Sequence, residues 1–152
     1  MTIWTSWRRT ACTGSWEVKD NVFRTNVREV APRGGLARED GWVDMVVRFL
    51  VDEATAGAKD FTLGWTVFKP GARHERHLHR NCDEFFVVLK GQGEIYTSQG
   101  REPAGEGDVV YVPRGGWHGF VNTGREEAVL VWGWIGAGSL EASGYEVAPE
   151  RT

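Results

Sequence analysis

Glycine and proline cut this chain into short pieces. Twenty glycines and five prolines punctuate a series of brief apolar runs, and no long segment carries a 3.6-residue period. That pattern belongs to an all-β sandwich or barrel. It predicts strands at Val22–Val30, Val43–Val51, Phe61–Lys69, Arg73–His79, Glu84–Lys90, Glu94–Ser98, Asp108–Val112, Trp117–Asn122 and Ala128–Ile135. Gly91-Gln92-Gly93 reads as a compact hairpin turn, because glycine adopts positive φ without steric cost. Pro70-Gly71 is expected to break the chain, and Pro113 to end the run before His118. A single helical turn is predicted after Gly138, with Ser139 as its cap.

At 152 residues the length fits one domain, here 21–152 with its core at 43–136. Residues 1–20 hold Trp4, Trp7 and Trp16 without periodicity. They read either as a loose arm or as one that covers a sheet edge or a partner subunit. A net charge of −3 with interspersed signs provides no footprint for nucleic acid or an anionic membrane. No apolar run approaches a membrane span, and the amino-terminal segment lacks the apolar stretch of a secretory signal. Two cysteines, Cys12 and Cys82, make no disulfide framework. A cytoplasmic protein is the expectation.

All four histidines fall in two windows. The first runs from Gly71 through His74, His77, His79 and Glu84 to Gly91; the second from Gly107 through Pro113, Gly115 and His118 to Asn122. Imidazole and carboxylate bind divalent first-row metals. His77 and His79 are two apart and share one face of a strand. Buried without an ion, His77, His79, Glu84 and His118 would carry unsatisfied lone pairs and charge at several kcal/mol. Three histidines and one glutamate leave coordination positions open. One divalent ion is expected, with Fe, Mn, Ni or Co favoured over Zn.

These windows resemble the two signature motifs of the cupin superfamily. Gly71, His77, His79, Glu84 and Gly91 fill each fixed position of the first; Gly107, Pro113, Gly115, His118 and Asn122 fill the second. The resemblance implies a double-stranded β-helix, the jelly-roll barrel, with one metal held in its mouth by these four ligands. It also implies an enzyme on a small molecule.

The remaining residues are placed by strand parity. His74 is three before His77 and is expected on the opposite face; Arg73 and Glu75 share His77's parity and are expected at the rim. Phe86 and Val88 follow Glu84 inward, and Phe120 follows His118. Trp65, Trp132 and Trp134 complete the expected pocket, with Arg73 or Arg114 at its mouth to hold a carboxylate. Cys82 falls in a turn and is not expected to ligate. Asn122 is expected to cap the turn at Thr123-Gly124.

The function expected first is an oxygenase on an aromatic or enolic substrate, with Glu84 as both ligand and base. A redox-neutral isomerase, lyase, decarboxylase or cyclase is the enzymatic alternative, and a non-catalytic small-molecule binder the other. A homodimer is expected, packed through Val22–Val30 and through the outward side chains Val87, Trp117 and Val121.

Overall fold

The computed structural model describes residues 22–149, so the expectation for residues 1–20 lies outside them. Nine strands form one curled antiparallel sheet. They are β1 (Trp42–Val51), β2 (Phe61–His79), β3 (Asp83–Lys90), β4 (Gln92–Tyr96), β5 (Arg101–Gly105), β6 (Val109–Val112), β7 (His118–Val121), β8 (Ala128–Ile135) and β9 (Tyr145–Val147). The main path runs β5-β4-β7-β2-β8-β3-β6, with β1 and β9 also paired to β2. This is the all-β barrel read from the sequence. Among the described residues no helix is long and apolar enough to cross a membrane.

The two strands predicted either side of Pro70-Gly71 are one. β2 runs for 19 residues and changes partners at that point. Residues Phe61–Phe68 pair with β8, and Arg73–His77 pair with β7. Gly71 sits at φ 80°, and its N–H donates to Asn122 O at 3.0 Å. Proline and a left-handed glycine therefore bend the strand without ending it. The bend carries the chain from the wall of the barrel into its mouth.

Gly91 is likewise a corner rather than a hairpin. β3 pairs with β6 and β8, whereas β4 pairs with β5 and β7, so the strands on either side of Gly91 never meet. Its φ of 82° lets the chain cross between sheet halves, and a Cβ there would lie 2.9 Å from Ala128 Cα. Val22–Val30 is not a strand: beyond a bridge at Val22 it is irregular, with a turn at Val27–Glu29. Apolar residues there are too sparse to hold a ladder. Val121, expected to face outward, is buried.

Several short elements escaped the sequence reading, a 3-10 turn at Arg38–Asp40 among them. Helix α1 (Glu53–Ala56) is capped by Asp52, whose carboxylate accepts from Thr55 N at 2.7 Å. β5 contains Pro103, an edge-strand residue by chemistry. β9 is only three residues long. Helix α2 (Leu140–Ser143) forms where predicted, with Ser139 Oγ accepting from Ala142 N at 3.0 Å.

Candidate metal centre

Three strands bring the four candidate ligands together. β2 supplies His77 and His79, β3 opens with Glu84 as its second residue, and β7 begins at His118. One donor atom from each lies within 4.8 Å of the others, and all four residues are buried.

The outward nitrogens fix the tautomers. His77 Nδ1 lies 2.7 Å from Glu75 O, and His118 Nδ1 lies 2.9 Å from Gly116 O. A carbonyl only accepts, so both Nδ1 atoms carry hydrogen. His79 Nδ1 lies 3.0 Å from Ser143 Oγ, whose own hydrogen is donated to Leu140 O at 2.6 Å. Ser143 must then accept from His79. In its neutral form each imidazole consequently points its Nε2 lone pair inward, the arrangement that outer partners impose on metal-binding histidines.

Two of those nitrogens, His77 Nε2 and His79 Nε2, are buried and have no hydrogen-bond partner. His79 Nε2 and His118 Nε2 stand 2.9 and 3.1 Å from Glu84 Oε2. A lone pair against a carboxylate at that distance repels unless a cation or proton lies between them. Trp134 fixes the carboxylate by donating Nε1–H to Oε2 at 3.0 Å. The donor set and its orphaned atoms fit a divalent ion.

The charges follow from this crowding. Burial pushes the Glu84 carboxyl up, but the adjoining His118 and His79 imidazoles hold it well below the usual carboxylate range. Burial drives His77 well below an ordinary imidazole. At His118 burial also opposes charge, yet Glu84 outweighs it and raises the pKa.

His74 departs from its expected place. The ladder shifts register between His74 and His77, so simple alternation fails. The His74 ring stacks 3.8 Å from His77 and lies tilted by 30° at 3.9 Å from Trp42, and it lines the cavity. Its Nε2 lies 3.2 Å from the Tyr145 hydroxyl, which itself donates to Asp40 O at 2.5 Å. The hydroxyl oxygen therefore accepts from His74. Burial lowers the His74 pKa to about 3, which keeps the ring neutral.

The cavity walls correct several parity assignments. Phe86, Phe120, Trp132 and Trp134 line it. Trp65 does not: β2 buries Thr62, Gly64, Thr66 and Phe68 and leaves Trp65 half-exposed on the outer face. Thr66 and Phe68 take the place expected of it. Trp132 reaches across because Gly64 has no side chain (a Cβ there would fall 2.0 Å from its ring), and its indole donates to Thr66 Oγ1 at 2.9 Å. Val88 is fully buried in the core beyond the cavity. Arg73 is tied to Glu75 and Arg114 to Asp83, so neither lines the cavity. Trp42 and Met45 were missed. A bulge at Asp44, whose φ is 55°, turns both inward although they differ in parity.

Cys82 is buried and close to Ser143 O, not to the ligands' meeting point; burial pushes its thiol up to about 12. Asn122 caps its turn, accepting from Gly124 N at 2.9 Å and donating to Phe68 O and Glu126 O.

Comparison with known proteins adds likeness to geometry. SchB of Streptomyces halstedii is 36% identical over 86 residues, covering 57% of this chain and 62% of that protein. Polyketide synthase CurC of Streptomyces cyaneus is 30% identical over 86 residues, covering 57% and 56%. The match thus spans less than two thirds of either relative's length. The solved polyketide cyclase RemF of Streptomyces resistomycificus superposes with a TM-score of 0.65 at 26% identity, over 75% of this chain and 79% of RemF. The Cupin_2 (cupin domain) family model matches residues 64–134, from the glycine that admits Trp132 to the indole that fixes Glu84. The four candidate ligands and every wall residue but Trp42 and Met45 thus lie within the segment that matches the cupin domain, and the chain has the cupin double-stranded β-helix fold.

Proposed function

We propose that this protein is a metal-dependent enzyme that rearranges or closes a ring on an apolar, enolisable aromatic or polyketide-type molecule without net oxidation. The observation that carries this reading is the cavity wall. Eight of its residues (Trp42, Met45, Phe68, Phe86, Phe120, Leu130, Trp132 and Trp134) are apolar or aromatic, and among the described residues no arginine or lysine lines it. Such a wall receives a flat apolar ligand and has no group to pair with a phosphate or a free carboxylate. Polarity is confined to Thr66 and to the end where His74, His77, His79, Glu84 and His118 meet.

His77, His79, Glu84 and His118 would hold the ion. A divalent ion there stabilises negative charge on a carbonyl or enolate oxygen. Phe68, Phe86 and Phe120 exclude water and orient the ring system. Among the described residues Glu84 is the one carboxylate on the wall, so a proton leaving the substrate next to the ion would have that acceptor at hand. Trp134 keeps its Oε2 in place. The names of CurC and RemF support a polyketide-type substrate and redox-neutral chemistry over the oxygenase placed first from sequence.

The test is turnover of enolisable polyphenolic and polyketone substrates by protein loaded in turn with Fe(II), Mn(II), Ni(II), Co(II) and Zn(II), with and without air. The expected product has the substrate's mass or that mass less water, formed at the same rate anaerobically. Products carrying added oxygen, formed only in air, would establish the oxygenase instead. Binding without turnover under both atmospheres would leave a small-molecule binder.

A further inference from the structure

The cavity wall is polar at two ends, and only one of them is the candidate metal centre. Thr62, Trp134 and Glu84 form one row across β2, β8 and β3; Thr66, Leu130 and Val88 form the row four residues further along. An even spacing keeps Thr66 on the face of Thr62, and at 2% exposure it is sealed within the barrel. Gly64, Trp132 and Phe86 fill the inward row between them. The wall therefore runs carboxylate, aromatic, hydroxyl along roughly 14 Å of strand. The Thr66 hydroxyl is only half used. Its oxygen accepts the Trp132 indole N–H at 2.9 Å, and its hydrogen has no acceptor among the described residues. Thr62 shows the contrast, since its hydroxyl donates to Ala137 O at 2.9 Å. A buried donor left unpaired is costly. Thr66 lines the cavity beside Phe68 and Leu130, so the only place its hydrogen can find a partner is the cavity itself.

We propose that Thr66 is a second anchoring point for the ligand, donating its hydroxyl hydrogen to an acceptor oxygen at the end remote from Glu84. This rests on the reading of the cavity as the site of a flat apolar molecule, and it adds a requirement of length and chemistry. A hydrogen-bond contact takes about 3 Å at each end of the wall, so the ligand's two oxygens stand roughly 8 Å apart. Two fused six-membered rings with an oxygen at each end have that length; a single ring is too short. The far group must accept, as a carbonyl or ether oxygen does. A group that only donates would set two hydrogens against each other, and a hydrocarbon end would leave Thr66 unpaired in a dry site. Discrimination of that kind is larger than a change in apolar volume provides.

The experiment compares 6-methoxy-2-acetonaphthone with 6-ethyl-2-acetonaphthone, which share the acetyl end and differ by an oxygen against a methylene at the other. Affinities are read by tryptophan fluorescence quenching on the full chain supplied with Zn(II), and on its Thr66→Val and Thr66→Ser variants. The full chain is expected to bind the methoxy compound about fivefold more tightly. Thr66→Ser should keep that ratio. Thr66→Val should bring it to about one, whatever the two affinities do together when the Trp132 indole loses its acceptor. Equal affinity of the unaltered chain for both compounds overturns the proposal and requires no variant to fold. So does a ratio that survives Thr66→Val in protein whose near-UV circular dichroism is unchanged. The ratio concerns only the far end of the ligand. Failed turnover therefore leaves it standing, a lost preference leaves the turnover test intact, and binding of neither compound removes the cavity reading and this one with it.

Discussion

The inner and outer faces of β3 and β8 differ less in polarity than in how their side chains are held. Inside, Glu84 and Trp134 are bonded to each other, Trp132 is bonded to Thr66, and Phe86 is packed in the core. Outside, Phe85, Val87, Val129 and Val131 are equally apolar but only half-buried. A sheet with one wet face normally advertises its interior by alternating apolar with polar residues. Here both faces are apolar, so hydrophobicity does not say which is which. What distinguishes the inner face is fixed hydrogen bonding around a few polar atoms, and removing those bonds tests the difference.

The largest effect is expected at the four candidate ligands. His77→Ala combined with Glu84→Ala should abolish stoichiometric metal binding, measured by elemental analysis of purified protein after equal loading. Full occupancy in that variant would end the metal reading. Next comes Trp132→Ala, which opens a cavity on the inner face and frees the Thr66 hydroxyl. A loss of about 3–5 kcal/mol in chemical denaturation is expected. Ser143→Ala should be smaller in free energy but specific. His79 would lose the group that accepts its Nδ1–H, and metal affinity should fall about 10–100-fold in competition with a chelator while the fold persists. Unchanged affinity would show that the serine does not orient the imidazole.

Acid sharpens the contrast further. Below the ordinary imidazole value of 6.5, the unfolded chain protonates His74 and His77, whereas the folded chain keeps both neutral, His74 down to about 3. The unfolded state then binds more protons, so stability falls as pH falls. His118, raised by Glu84, opposes this as a single group and contributes stability below 6.5 that is lost as pH rises through its folded value. Two groups against one predict a net decline of the metal-free protein's melting temperature from pH 6.5 toward 5. His74→Phe should flatten that slope. The smallest effect belongs to the outer face: Trp65→Ala, half-exposed, should cost the isolated chain about 1 kcal/mol or less. A loss equal to that of Trp132→Ala would erase the distinction between the faces.

How much of this could be read from sequence follows from the same contrast. The cluster of candidate ligands was legible because imidazoles and carboxylates at fixed spacing have few other uses, and His77 and His79 obey plain alternation. The strand order of the barrel came with the motifs rather than from periodicity. Trp65 was misplaced because it sits on an apolar run whose two faces look alike; only Gly64, the space for Trp132, marks the true inner parity. His74, Trp42 and Met45 were misplaced or missed because two irregularities, between His74 and His77 and at Asp44, shift parity by one. Nothing in residue type announces a bulge at an aspartate. β9 and Tyr145 were invisible because three residues are too few for a pattern.

Ser143 also sets a clock. His79 leaves the ribosome 64 residues before the hydroxyl that accepts its Nδ1–H, a gap of roughly 3–13 s at ordinary rates of synthesis. In that interval the imidazole is free to hold its proton on either nitrogen. The last hydrogen bond that orients the four candidate ligands is therefore made only after strands β1–β8 of the barrel have been translated, when the segment carrying Ser143 docks against His79.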